Sequence, residues 1–264
     1  MRTHRVGRHL GSCLVGAALA AVVVSADVWD VQSDHDNTAL GTDNELMHGS
    51  QQVHDLGTLP GPVADDDWYR IGLQPYSSYE VRIDQVSGDL TPGLTFSRVA
   101  FDGTTVLQSS SGESPLGFSR ALRFLNPTAA LAAQLIRVGT PACTTSCGAD
   151  DTYRITAVET TIRVARFNNA ASQVTVLLTQ NATSAPINVT TYFWSPAGTL
   201  LATRPIALAA HNLDVFNTAT TVSGVAGHIT IAHDGPHGGL NVKSVALEPA
   251  TGFSFDTPGV YRPF

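Results

Sequence analysis

The chain has 264 residues, a formal net charge of −7 at pH 7 and 14% charged residues, against about 25% in an average protein. The acidic balance argues against nucleic acid and anionic membrane as partners, because both carry negative charge themselves. The low charge, together with abundant Thr, Ser, Val and Gly, is typical of strands and turns.

The first 26 residues predict a cleaved export signal. A basic start is followed by an apolar stretch, Leu10–Val24, and by a small-residue cleavage site, Val24-Ser25-Ala26. Cleavage would remove three arginines and no acid, which changes the formal net charge from −7 to −10. The remaining chain has no second long apolar stretch, so we expect no membrane insertion. The signal indicates a bacterial protein that is secreted or held at the cell surface.

Residues 27–54 are polar and acidic and lack a sustained periodicity. A segment of this composition buries too little apolar surface to offset the entropy of ordering, so we predict a flexible acidic leader. The first domain is expected to begin near His54-Asp55-Leu56.

From Asp67 onward apolar residues recur at every second position, which is the period of a half-buried strand. In DWYRIGL, Tyr69, Ile71 and Leu73 share one face, and YEVRI repeats the pattern after the turn at Pro75. Further short strands are predicted in LTFSRV, TTVLQS, RALRFL, QLIRVG and DTYRITAV. One stretch, NPTAALAAQL, favours a short helix. The number and spacing of the strands predict a β-sandwich over residues 55–158.

A second set of strands begins near Thr160. Its members are TIRVARF, QVTVLLTQ, INVTTYFW, TLLATRPI, LDVFNT, GHITIAH and NVKSVALEP. Seven strands at spacings of about eight to twelve residues indicate an immunoglobulin- or fibronectin-like sandwich over residues 159–264, without the Cys-Trp-Cys framework of true immunoglobulin domains. The predicted fold class is therefore all-β, with two tandem β-sandwiches after the cleaved signal peptide and no Gly/Pro/Ser linker between them.

The cysteines fit an exported protein. Cys143 and Cys147 lie in one loop, GTPACTTSCGADD, where a local disulfide needs no further group but a metal site would need other ligands. We predict the disulfide, which would stabilise its small loop by about 2 kcal/mol. Cys13 lies in a sequence with the residue types of a lipid-attachment box, Leu10-Gly11-Ser12-Cys13. The apolar stretch lies after this cysteine rather than before it, which favours secretion over a lipid anchor.

Four motifs of the first domain, DDDWYRIGL, SYEVRIDQVSGDL, FDGTTVLQSS and DDTYRITA, resemble the bacterial pre-peptidase C-terminal family. The resemblance covers roughly residues 55–158 and implies a small β-sandwich that accompanies secreted hydrolases. Some members of that family bind collagen or polysaccharide, and some hold calcium. The second domain resembles an immunoglobulin-like module of secreted bacterial proteins through RFNNAASQVTVLLTQN, WSPAGTLLATRPI and ALEPATGFSFDTP. This second resemblance implies no particular activity.

Five aspartates around the first strands are candidate calcium ligands, because Ca²⁺ prefers carboxylate oxygens: Asp65, Asp66, Asp67, Asp84 and Asp89. Their spacing is not that of an EF-hand, and aspartate is also common in turns and at strand entrances. We favour the structural interpretation. The family resemblance leaves calcium open as a cofactor, and no other cofactor is predicted.

Three histidines lie in GHITIAHDGPHGGL. Alternation along a strand places His228 on the face opposite to His233, so these two are not expected to share an ion. His233 and His237 flank the turn DGP and could approach each other, with Asp234 beside them, as a weak transition-metal site. We favour residues of a turn without metal, because Asp, Gly and Pro in that order are ordinary turn formers.

Aromatic residues are the main sign of binding, because flat rings on a sandwich face can stack on sugars or pack against a partner. The candidates are Trp68, Tyr76, Tyr192 and Trp194. In TYFW, alternation requires that either Phe193 or the pair Tyr192 and Trp194 points outward. The alternative for Trp68 and Phe193 is an ordinary place in the core.

Local signatures of enzymes, such as H-E-x-x-H, G-x-S-x-G and the P-loop, are absent from the sequence. We therefore predict a non-catalytic secreted or cell-surface binding module for an extracellular polymer, either a polysaccharide or a protein matrix. The alternative is a structural subunit or accessory protein that assembles with another secreted protein. A hydrolase with a spatially assembled site is the third hypothesis, because such a site leaves no local motif.

Overall fold

The computed structural model describes residues 38–56, 66–88, 94–112, 119–139 and 150–264. Over these ranges the protein is all-β, with one short 3₁₀ helix at Thr218–Thr220 and no helix of the length and apolarity needed to cross a membrane. The strands are β1 Glu45–Leu46, β2 Gln51–Asp55, β3 Asp66–Leu73, β4 Ser77–Gln85, β5 Thr95–Val99, β6 Val106–Ser109, β7 Ser111–Gly112, β8 Ser119–Asn126, β9 Ala132–Gly139, β10 Thr152–Glu159, β11 Ile162–Asn168, β12 Val174–Asn181, β13 Ile187–Trp194, β14 Leu200–Leu208, β15 Leu213–Asn217, β16 Ala226–His233, β17 Leu240–Glu248 and β18 Phe253–Tyr261.

Strands β1–β10, here called the first unit, form two five-stranded sheets. Their orders are β1-β3-β9-β5-β6 and β2-β10-β4-β8-β7. Both sheets contribute to one buried apolar cluster, whose members include Tyr69, Ile71, Phe96, Ile136 and Val138 from the first sheet and Val81, Ile83, Leu122, Tyr153 and Ile155 from the second. The predicted alternation explains this packing, because every second side chain of a strand points to the same face.

Strands β11–β18, the second unit, form an eight-stranded sheet in the order β14-β13-β16-β11-β18-β17-β12-β15. The sheet is nearly barrel-like. Its two edge strands, β14 and β15, are joined by a two-pronged ion pair in which the guanidinium of Arg204 contacts both carboxylate oxygens of Asp214, at 2.7 and 3.1 Å. A separate apolar cluster, which includes Val164, Phe193 and Ile229, fills its interior.

Strand β18 pairs with two different strands. Residues 253–258 pair with β17, and residues 259–261 pair with β11. The change of partner occurs at Gly259, where a Cβ atom would lie 2.8 Å from Ile162 Cγ2 and 2.9 Å from Val242 Cβ. Only a residue without a side chain fits at this point without displacing its neighbours.

The two units are joined by only two residues, Thr160 and Thr161, both buried. Both bond to Ser78 on β4: the Thr160 amide donates to the Ser78 carbonyl at 2.8 Å, and the Ser78 amide donates to Thr161 Oγ1 at 3.0 Å. The connection is therefore part of the packed structure.

The all-β prediction is confirmed, and each of the fourteen predicted strand segments overlaps an observed strand. Three expectations differ from the structure. Strand β1 and all but the last residue of β2 lie within residues 27–54, so the predicted flexible leader is wrong for that part of the segment. Residues 126–135 contain the end of β8, a turn and the start of β9, so the predicted helix is wrong. Strand β18 was not predicted. The signal peptide, residues 1–26, lies outside the described residues.

Replacing Gly259 by alanine is expected to destabilise the second unit by about 1–3 kcal/mol, because the new methyl group overlaps Ile162 and Val242. Urea unfolding of the two proteins measures the difference. Gly72→Ala is the matched control, since a Cβ there meets no atom within 4 Å and should change stability by less than about 0.5 kcal/mol. Equal stability of Gly259→Ala and the wild type would contradict the close packing at the strand crossing.

Candidate functional site

Three of the four aromatic residues singled out in the sequence lie together where the two units meet. The Tyr76 ring centroid is 5.0 Å from that of Tyr192 and 5.2 Å from that of Trp194. His228 lies beside Trp194, with nearly parallel rings whose centroids are 6.2 Å apart. We call Tyr76, Tyr192, Trp194 and His228 the aromatic platform.

Alternation along β13 explains how the second unit contributes to the platform. Phe193 is fully buried in the core, so Tyr192 and Trp194 point to the opposite face of the sheet. Trp194 pairs across the strands with His228 on β16, which places the two rings on that same face. The indole Nε1 of Trp194 donates to Thr230 Oγ1 at 2.9 Å and holds the ring in place. Tyr76 comes from the first unit, from the turn between β3 and β4.

The platform is partly open to solvent. Tyr76, Trp194 and His228 are half-buried, whereas Tyr192 is only 2% exposed and lies behind them. Burial raises the pKa of the Tyr192 hydroxyl, and the neighbouring Tyr76 raises it further. Tyr192 therefore remains neutral at ordinary pH, and the exposed front of the platform consists of rings.

Trp68 lies elsewhere. It is 7% exposed and packs with Val99 and Leu135, with the Arg137 guanidinium 5.5 Å from its ring centroid. Its ring therefore has little surface to offer a ligand, which agrees with an ordinary place in the interior.

The candidate calcium ligands within the described residues each contact a separate partner. Asp66 pairs with Arg137 at 2.6 Å, Asp84 pairs with Arg82 at 2.9 Å, and buried Asp67 accepts a hydrogen bond from the Tyr153 hydroxyl. Asp65 and Asp89 lie outside the described residues, as do Cys143 and Cys147 of the predicted disulfide. Among the residues that are described, no three His, Cys, Asp or Glu side chains are grouped to hold a metal ion.

The two histidines of the DGP turn have different surroundings. His233 is fully buried, and its Nδ1 accepts a hydrogen bond from the Gly235 amide at 3.2 Å. Burial lowers the pKa of His233 to about 4, and this outweighs the smaller raising effect of the Asp234 carboxylate. The His237 amide donates to Glu80 Oε2 of the first unit at 3.2 Å, and its ring lies 4.7 Å from that of Tyr261. In the structure these histidines thus pack within and between the units.

A groove of about 620 Å³ opens near the end of β10. Leu46, Ile71 and Ala157 are among its apolar lining residues, and Arg70 and Arg262 are among the charged ones. Glu159, also in the lining, is 2% exposed and accepts from Arg163 at 2.6 Å and from Arg262 at 3.2 Å. No motif in the sequence indicates this groove, because its residues come from distant parts of the chain.

No protein-family description matches the chain, and no curated protein matches it in sequence. Among solved structures it is similar to the pre-peptidase C-terminal domain of a collagenase from Bacillus anthracis, with 11% identity and a TM-score of 0.32, over 43% of this chain and 92% of that domain. It is also similar to β-glucuronidase 2 of Bacteroides uniformis, with 15% identity and a TM-score of 0.20, over 81% of this chain and 32% of that enzyme. A third similarity is to the extracellular region of zebrafish Gpr126/Adgrg6, with 9% identity and a TM-score of 0.27, over 81% of this chain and 30% of that one.

The similarity to the pre-peptidase C-terminal domain is distant and covers less than half of the chain. The chain spans about a third of the glucuronidase and of the zebrafish receptor region. All three TM-scores are low.

The buried His233 predicts a loss of stability in acid. Its pKa is about 4 in the folded protein and about 6.5 in the unfolded chain, so the unfolded chain binds more protons between these values. The contribution is complete above pH 6.5, falls as the pH drops towards 4, and amounts to about 3 kcal/mol. Denaturant unfolding at a series of pH values measures it.

His233→Gln is expected to flatten the pH dependence between 6.5 and 4, because the amide stays neutral. His211→Asn is the control: His211 is exposed with φ of 56°, a conformation that asparagine accepts, so the wild-type pH dependence should remain. An unchanged pH profile in His233→Gln would show that other groups cause the acid sensitivity.

Proposed function

We propose that this protein is a non-catalytic binding module, secreted or at the cell surface, that attaches to an extracellular polysaccharide through the aromatic platform. The proposal includes its organisation as two tandem β-sandwiches, the first of the pre-peptidase C-terminal kind and the second immunoglobulin-like, with the two halves of the second joined into one sheet because β18 pairs with both β11 and β17. The observation that carries it is the meeting of Tyr76, Trp194 and His228, three partly exposed rings, on one surface.

The chemistry of the platform suits a sugar chain. An aromatic ring has an apolar, electron-rich face that packs against the C–H groups of a sugar ring, while neighbouring hydroxyl groups satisfy the sugar hydroxyls. Thr203 and Thr230 flank Tyr192 across the strands and supply such groups. Because hydrogen bonding and packing hold the Trp194 ring, little rotamer entropy is lost when a ligand binds.

Binding is tested by co-sedimentation of residues 27–264 with insoluble cellulose, chitin, peptidoglycan and collagen, with and without calcium. We expect retention on at least one polysaccharide, and Trp194→Ala should weaken it about tenfold or more. Phe253→Ala is the control, because Phe253 is 64% exposed and lies on β18, away from the platform strands β13 and β16.

Retention on none of the polysaccharides, or equal retention of Trp194→Ala and the wild type, would contradict polysaccharide binding by the platform. Retention on collagen alone would assign the module to a protein matrix. Release of soluble sugar during the incubation would support the third hypothesis, a hydrolase.

The second candidate function, a structural subunit, is supported by an aliphatic face on the second unit. In β12 the threonines point inward, and Val174, Val176 and Leu178 lie on the opposite, partly exposed face. Val215 on β15 is 61% exposed and pairs with Leu178, and Leu247 on β17 pairs with Val174. Contiguous apolar side chains on an outer sheet face indicate a protein contact.

The partner that fits this face is the same face of a second copy. Lys243 and Asp256 form a half-exposed ion pair of 2.7 Å there, and a two-fold axis can place the cation of one copy near the anion of the other. Light scattering should then show a concentration-dependent dimer that Val215→Lys abolishes and Leu201→Lys, on strand β14, does not. A monomer at all concentrations would contradict the dimer.

A further inference from the structure

Tyr76 has an unusual backbone conformation. Its φ is 52°, in the left-handed region that glycine and asparagine favour and that a bulky side chain adopts at a cost in energy. It follows Pro75 in a turn, a place where glycine or asparagine is the usual residue with positive φ. The other described non-glycine residues with positive φ, Ala171 and His211, are exposed loop residues.

The contacts of the Tyr76 side chain offset the energy cost of its backbone conformation. The left-handed turn carries the Tyr76 ring out of the first unit and against Tyr192 and Trp194 of the second. Glycine or asparagine would relieve the backbone strain but provide no ring. Without Tyr76 the platform would consist of residues of the second unit alone.

Polar contacts immediately after Tyr76 hold the two units in register. Ser78 bonds to Thr160 and Thr161, and Glu80 accepts from the His237 amide at 3.2 Å. All three contacts involve the first residues of β4. The position of Tyr76 relative to Trp194 is therefore set before any ligand arrives, which lowers the entropic cost of binding.

The residues paired directly with the platform rings of β13 are uncharged at their side chains or are histidine, and the nearest arginine on that face is compensated. Arg163 lies one strand further, where it pairs with Thr230, and its guanidinium contacts the Glu159 carboxylate at 2.6 Å. The residues paired with Tyr192 and Trp194 across the strands are Thr203, Thr230, Leu200 and His228. The nearby Arg204 points to the other side of the sheet, where it pairs with Asp214 and lies 3.9 Å from the Phe216 ring centroid. No arginine or lysine among these paired residues could bind the carboxylate of an acidic sugar. The residues beside the rings therefore favour a ligand without charge.

We infer that the aromatic platform is a composite site for an uncharged sugar chain, completed by Tyr76, which contacts the ligand from the first unit beside Trp194 of the second. This inference rests on the proposed function and adds to it the ligand class and the requirement for both units.

The test uses variants of residues 27–264 and the polysaccharide that retains the wild type. Tyr76→Gly removes the ring and the backbone strain together, and it should weaken binding about tenfold, as Trp194→Ala does. Tyr76→Phe keeps the ring and should bind within about twofold of the wild type. Melting temperatures are recorded for each variant, and Tyr76→Asn, which also accepts the left-handed backbone, replaces Tyr76→Gly if that variant unfolds.

The ligand class is tested by native gel electrophoresis in soluble polymers that share one backbone. Hydroxyethyl cellulose is uncharged, and carboxymethyl cellulose is anionic. For a module retained by cellulose we expect retardation by the uncharged polymer, lost in Tyr76→Gly. A module retained by chitin is compared in the same way in glycol chitin, which is soluble and uncharged, and in carboxymethyl chitin, which is anionic.

The outcomes separate the two proposals. If Trp194→Ala loses binding while Tyr76→Gly and Tyr76→Asn keep it, the proposed function stands and the composite site is wrong. Retention by the anionic polymer alone would overturn the uncharged ligand class. If the wild type binds no polysaccharide, the proposed function fails and this inference fails with it.

Discussion

Two buried threonines, Thr160 and Thr161, are all that separates the last strand of the first unit from the first strand of the second. Their hydrogen bonds to Ser78 are satisfied within the protein, as buried polar groups require. Because the connection is short and hydrogen-bonded, it holds β4 of the first unit against one strand and one turn of the second unit. That strand carries His233, and that turn carries His237. The aromatic platform depends on that constraint, and so do the ion pairs at the junction, which is the region where the two units meet.

The junction is stabilised by groups that are costly to bury alone. Glu159 is 2% exposed, and its carboxylate is compensated by Arg163 and Arg262, both from the second unit. Removing either arginine would leave a buried charge underpaired, which is more destabilising than the loss of a surface pair. The His48 ring adds a further link, because its Nδ1 accepts from the Glu159 amide at 2.9 Å and the ring stacks on Phe264. The two units therefore depend on each other at this point.

In the second unit, a polar network inside the sheet accounts for the apolar residues outside it. Asn169 is buried and bonds to Thr218 and to the carbonyl of Val222, and its side-chain oxygen accepts from the Thr175 amide. The buried Thr175 hydroxyl accepts from the Asn168 amide at 2.8 Å and donates to the Asn168 carbonyl at 3.0 Å, so the Thr175 side chain faces inward and the alternation of β12 turns Val174 and Val176 outward. The same period of two that builds the core thus produces the aliphatic face.

The amino-acid sequence by itself determined the strands with a clear apolar alternation, such as β3 and β13, because the pleat alone assigns alternate side chains to opposite faces. It also named Tyr76, Tyr192 and Trp194. Tertiary structure alone decided β1 and β2, which form strands by pairing with the distant strands β3 and β10, and the end of β18, which pairs with the distant strand β11. β18 contains Pro258 and Gly259, which locally disfavour a strand, and it forms because β17 and β11 both offer it hydrogen bonds. The meeting of Tyr76 with Trp194 was decided in the same way, because a contact across 118 positions depends on how the two units pack and leaves no local pattern.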